Sequence, residues 1–165
     1  MALKHLRTDC GLNFELVLTG GDKGNQKFIK SIVKRLGLEE AVHILGFVSQ
    51  QELISLYRGA FALSYVTYFG PENLPPLEAF VCGCPVVASN VSGAKEQYGE
   101  AALLVNPNEP EEISHMIKYL YDNPDIRQAL IEKGYQRAKK FTSMDYVKQV
   151  KQLFDKFSLV RRNWG

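Results

Sequence analysis

Three cysteines, an odd number, are too few for a disulfide framework in 165 residues and predict a protein of the reducing cytoplasm. Two of them, Cys82 and Cys84, flank Gly83. Two ligands one residue apart, without a partner pair, make no metal site, and they read as small residues filling a helix–strand turn. An excess of one charge sign is missing as well. Twenty Lys and Arg nearly cancel eighteen Asp and Glu, which argues against an electrostatic nucleic-acid binder and leaves Arg161 and Arg162 as a solvated tail. No apolar run approaches the roughly 18 residues that a transmembrane helix needs. The opening MALKHLRTDCG has no apolar h-region, so no signal peptide is expected. What is left is a globular chain, 45% apolar, long enough for one domain with a real core.

Helix and strand patterns alternate almost throughout. A short helix over Ala2–Thr8 precedes the apolar strand ELVLTG (Glu15–Gly20). Lys27–Leu36 is an amphipathic helix with Phe28, Ile29, Ile32, Val33 and Leu36 on one face. VHILG, the helix Gln50–Arg58 and the strand Phe61–Tyr65 follow, then a loop, a helix from Pro76, the strand PVVAS, a short helix Ser92–Tyr98 and the strand ALLV. From about residue 110 the chain is expected to be helical, over Pro110–Tyr121, Pro124–Lys140 and Ser143–Phe157. Pro110 and Pro124 suit first-turn positions, and Thr142 with Asp145 resembles a capping box. The last helix carries a wide apolar stripe, Tyr146, Val147, Val150, Leu153, Phe154 and Phe157, which is expected to stay uncovered.

Short apolar strands separated by helices imply right-handed crossovers, hence an α/β fold with a Rossmann-like parallel sheet between layers of helices. Ligands of such sheets bind at the C-terminal ends of the strands. Gly20-Gly21, Phe47-Val48 and Phe69–Leu74 all fall there. A doubly wound half begins with a strand, whereas this chain begins in a helix, so its opening strand is expected to be absent.

The segment Phe69–Ser89, FGPENLPPLEAFVCGCPVVAS, carries most of the chemistry. Gly70, Pro71, Asn73, Pro75 and Pro76 favour a tight loop with exposed backbone, running into a helix that holds Glu78 in its first turns. Unpaired N–H groups and the positive end of the helix dipole suit an anion there, while a carboxylate one turn in can grip a ribose diol. A carboxylate among the apolar residues of LEAF is costly to bury without a partner. The pattern points to a nucleotide or nucleotide-sugar.

In order and spacing, ELVLTGG, HILGFVSQQELISLYRGA, LPPLEAFVCGCPVVAS, SGAKEQYGEAALLVNPNEPEEI and GYQRAKKFT resemble the C-terminal, donor-binding domain of family 4 (group 1) glycosyltransferases of the GT-B fold. The resemblance covers nearly the whole chain. It implies that residues 1–165 are a single nucleotide-sugar-binding domain, one part of a two-domain protein whose other domain binds the acceptor. The parent would move a sugar from a nucleotide donor to a glycan or lipid-linked acceptor, with retention, without cofactor or bound metal, in the cytoplasm or at the inner face of the membrane. In that family two glutamates at a fixed spacing mark the donor site. The second, which binds ribose, corresponds to Glu78. The first falls in strict register on Gly70, and Glu72, two positions on, is the candidate to replace it at the sugar. Backbone at Asn73 and Leu74 corresponds to the diphosphate turn, and since Pro75 has no N–H to give, those two residues are expected to carry the contact. Gly21 belongs to the first loop of the site, and Val48 corresponds to a residue lining the base. The family's basic pair against the diphosphate has no counterpart in register here, so this chain alone is expected to be inactive. Gly70 also leaves open a non-catalytic nucleotide- or partner-binding module. A sugar-nucleotide epimerase is disfavoured, since no acid–base pair stands out.

Other polar residues have blander readings. His43 sits in an apolar strand as a satisfied core or rim histidine, and His115 lies on a helix surface. Glu111-Glu112 complements a helix dipole. Glu96 is expected on a helix surface. Tyr65 and Tyr68 suit either a sugar pocket or simple packing.

Overall fold

The computed structural model describes residues 1–69, 74–140 and 143–162. Helices and strands alternate as α1 (Ala2–Thr8), β1 (Leu16–Thr19), α2 (Gln26–Leu36), β2 (Val42–Gly46), α3 (Gln50–Gly59), β3 (Leu63–Tyr65), α4 (Leu74–Val81), β4 (Val86–Ser89), α5 (Ala94–Tyr98) and β5 (Ala102–Val105). The helices α6 (Pro110–Asp122), α7 (Pro124–Ala138) and α8 (Ser143–Arg162) complete it. Every strand pairing is parallel, as short apolar strands joined by helices require.

The α/β class is as expected, but the strands form two sheets rather than one: β1 with β2, and β3–β4–β5 in that order. No strand pairing joins the two sheets among the described residues. Burial follows this arrangement. The central β4 is buried at every position, whereas β1 and β3 alternate between partly buried and exposed. The strands' entry ends are held by side chains. The Phe14 and Phe61 rings lie 4.9 Å apart, Tyr121 packs against both, and Arg127 covers Phe61 while donating to its carbonyl oxygen.

Two local differences from the sequence pattern matter. First, α4 starts at Leu74, not at Pro76. Pro75 and Pro76 fit its first turn because their missing N–H groups would have no intrahelical partner there. Second, a capping box forms at α3: the Ser49 hydroxyl accepts from the Glu52 N–H, and the Glu52 carboxylate accepts from the Ser49 N–H. The spacing SQQE carried that signal. Thr142, expected in another capping box, lies outside the described residues.

The core against α4 is closed by α7. Gly83 stops α4 with φ of +74°, a conformation that favours glycine. Further along, Gly134 of α7 lets the Phe80 ring approach so closely that a Cβ there would lie 2.9 Å from Phe80 Cδ1. Phe80 is itself fully buried. Gly134→Ala therefore opposes two effects: a helix-propensity gain of up to about 1 kcal/mol and an overpacking cost of about 1–3 kcal/mol. The expected outcome is a net loss of stability, read as a lower urea midpoint. A higher midpoint would mean that α4 and α7 can move apart cheaply.

The stripe on α8 stays exposed at Val147, Leu153, Phe154 and Phe157; the Tyr146 side chain is outside the described residues. Among the described residues no helix is long and apolar enough to cross a membrane.

Candidate functional site

The C-terminal ends of β1 and β2 meet in one turn region. The Gly20 N–H donates to the Gly46 carbonyl at 2.8 Å, which brings Gly20-Gly21 beside Phe47-Val48. Gly21 lies under the exposed Phe47 ring, and a Cβ there would sit 2.5 Å from Phe47 Cε2. The absence of a side chain at Gly21 is what admits this ring. Val48 lines an open cleft of about 370 Å³ between the end of β2 and α3, with Leu45, Gln51, Glu52, Ser55 and Leu56.

The second group sits at the end of β3 and the start of α4. The Thr67 N–H donates to the buried Ser89 hydroxyl at 2.7 Å, tying the chain that leaves β3 to the end of β4. Leu74 opens α4 and is exposed, and Glu78 stands one turn further, also exposed. At this terminus the proline pair decides which donors exist. Pro75 and Pro76 have no N–H to give, so of the first three residues of α4 only Leu74 has one.

Glu78 has a partner that the sequence did not announce. The Tyr57 hydroxyl donates to Glu78 Oε2 at 3.2 Å across the α3–α4 contact. Burial, and after it the Glu78 charge and hydrogen bond, push the Tyr57 phenol well above the usual tyrosine range. Tyr57 is therefore a neutral donor throughout the physiological pH range.

The blander readings can be placed as well. His43 pairs with Glu15 at 2.8 Å near the start of the β1–β2 sheet, away from the rim where the strands end. Cys84 is buried, and burial pushes its thiol up to about 11, so it is an inert packing residue. No metal-binding cluster occurs among the described residues. His115 and Glu96 are exposed, Tyr68 is exposed and Tyr65 is partly buried. Two basic side chains anchor the helical segment rather than a ligand: Arg127 to the Phe61 carbonyl, and Arg137 to the Gln97 and Glu96 carbonyls.

Sequence comparison decides the family. The model for glycosyl transferases group 1 matches residues 1–137. The chain belongs to the group 1 glycosyltransferases.

Within that family it is 32% identical over 142 residues to O-antigen chain mannosyltransferase B of Escherichia coli, covering 86% of this chain and 37% of the relative. It is 28% identical to a D-inositol 3-phosphate glycosyltransferase of Corynebacterium urealyticum, over 84% of this chain and 34% of that one. The chain thus spans little more than a third of the length of these relatives. Among solved structures, sucrose-phosphate synthase from Thermosynechococcus elongatus superposes with a TM-score of 0.77 at 25% identity, over 88% of this chain and 39% of the other. Anabaena HepE in complex with UDP-glucose superposes with a TM-score of 0.72 at 24% identity, over 87% and 40%.

For this group 1 glycosyltransferase chain, the structure brings the sequence-derived candidates together as two groups. Gly21 and Val48 lie on adjacent loops of the β1–β2 sheet, and Leu74 and Glu78 lie on α4. No hydrogen bond or ion pair among the described residues joins the two groups directly. Gly70, Glu72 and Asn73 lie outside the described residues. Tyr57 was missed because a tyrosine within ELISLYRGA reads as an apolar-face residue; its hydroxyl acquires a role only from α4.

Proposed function

We propose that this chain is the donor-binding domain of a two-domain transferase, which moves a sugar from a nucleotide-sugar to a glycan or lipid-linked acceptor with retention. The observation that carries the reading is the position of Glu78. It lies one turn into a helix that opens at the end of β3, with its carboxylate exposed and oriented by a buried donor. Membership of the group 1 family and the fold likeness to a UDP-glucose complex support it. In this reading Glu78 accepts the ribose hydroxyls, and the Asn73 and Leu74 N–H groups face the diphosphate. Val48 lines the base, Gly21 meets the donor through its backbone beside the Phe47 ring, and Glu72 contacts the sugar in place of the side chain that Gly70 lacks. Transfer breaks the bond from the anomeric carbon to the diphosphate oxygen and forms one to the acceptor oxygen, and the acceptor proton leaves with the diphosphate. Donors aimed at the departing diphosphate lower that barrier. With two prolines in the first turn of α4 the helix supplies few of them, and in this reading cationic side chains supply the rest. The whole protein acts on the cytoplasmic side, where nucleotide-sugars are made, as a soluble or peripheral membrane enzyme.

Gly70, in the register of the first family glutamate, favours a second reading: a nucleotide- or partner-binding module without turnover. Titrating the full-length protein with nucleoside diphosphates and assaying release from nucleotide-sugars separates the two. Saturable binding with acceptor-dependent turnover is the expected result. Saturable binding without turnover, across a panel of donors and acceptors, would establish the module instead.

A further inference from the structure

The Tyr57 side chain makes a polar contact between α3 and α4. Its ring is packed in the core with Ala79, Phe80 and Cys84, where phenylalanine would fill almost the same space. The hydroxyl is the difference, and it ends on one oxygen of Glu78 at 3.2 Å. Among the described residues no cation pairs with Glu78, so this hydrogen bond is what orients the carboxylate. A free glutamate on a helix surface samples many rotamers, and anchoring one oxygen removes that cost before a ligand arrives. The polarity is also right. Tyr57 donates, so Glu78 keeps Oε1 and the remaining lone pair of Oε2 as acceptors, and a ribose diol is a pair of donors. The geometry links two parts of the molecule as well. Val48 directly precedes the Ser49 cap of α3, and Tyr57 lies near the other end of the same helix, so α3 joins the cleft beside β2 to the carboxylate on α4.

We propose that Tyr57 is a positioning residue that pre-orients Glu78 for the ribose of the donor nucleotide, and so sets the preference for ribonucleotides over 2′-deoxyribonucleotides. The proposal rests on the reading of Glu78 as the ribose ligand. Because the phenol stays protonated, the contribution is expected to be constant from pH 6 to about pH 9.

The test uses the full-length protein and calorimetry with UDP, GDP and ADP, each against its 2′-deoxy counterpart. For the nucleotide that binds, Glu78→Ala is expected to erase the preference for the ribo form. Tyr57→Phe, which deletes one oxygen, is expected to weaken the ribonucleotide by about threefold or more and the deoxynucleotide, which keeps only the 3′-hydroxyl donor, by less. The double variant should bind no more weakly than Glu78→Ala, as coupling through one carboxylate requires. Equal losses for both sugars with Tyr57→Phe, or no loss for either, while Glu78→Ala erases the preference, would overturn the positioning role alone. If Glu78→Ala leaves the preference intact, or no nucleotide binds, the ribose reading itself fails. Should Tyr57→Phe not fold, Tyr57→Leu, which also keeps an apolar side chain without a donor, answers the same question.

Discussion

Glu78→Ala in the full-length protein is expected to weaken nucleoside diphosphate binding by about tenfold or more. A hydrogen bond to a charged group is worth roughly 1.5–3 kcal/mol, and about 1.4 kcal/mol is a factor of ten in affinity. The variant is expected to remain folded. Glu78 is exposed, alanine favours the helix, and the structural cost is confined to the Tyr57 hydroxyl, which loses its acceptor. Leaving that one neutral group unsatisfied costs about 1–3 kcal/mol at most. Circular dichroism establishes the fold, and calorimetry then reads the affinity. Unchanged affinity in a folded variant would remove Glu78 from the site.

The largest loss of stability is expected two positions later. Phe80→Ala should cost about 3–5 kcal/mol, the range for truncating a buried aromatic, against a total of about 5–15 kcal/mol for a domain. Phe80 is 1% exposed. Its ring meets Tyr98 edge-on at 6.3 Å and lies close over Gly134 of α7, so its removal opens a cavity that two helices and a tyrosine border. The next residue supplies the control. Val81 is apolar and on the same helix but 65% exposed, and Val81→Ala should change stability by no more than about 0.5 kcal/mol. Urea titrations of the two variants should therefore differ strongly. Similar midpoints would show that α4 does not pack as described. Because α4 also carries Glu78, nucleotide binding should fall with Phe80→Ala wherever the folded population falls.

Much of this was legible in one dimension because its causes are local. Apolar runs separated by amphipathic segments specify a parallel α/β arrangement. The predicted and observed strand positions agree to within a residue or two at β2, β4 and β5. The start of α4 was placed two residues late because proline was read as a barrier, although its missing N–H is harmless in a first turn. The capping box at Ser49–Glu52 was equally local and could have been found from its spacing. Glu78 stood out because a carboxylate within an apolar stretch is unusual.

The residues alone thus determined the alternation of elements, the glycine and proline loops that follow the strands and the carboxylate one turn into α4. All three follow from nearest-neighbour chemistry: periodicity, missing N–H groups, and charge placed among apolar side chains. Tertiary structure alone decided the split into β1–β2 and β3–β4–β5, the close approach of Phe80 to Gly134, and the choice of Tyr57 as the donor to Glu78. Tyr57 and Glu78 are 21 residues apart, and Phe80 and Gly134 still further. Such contacts depend on the angle and separation at which whole helices pack, and no short stretch of sequence encodes these.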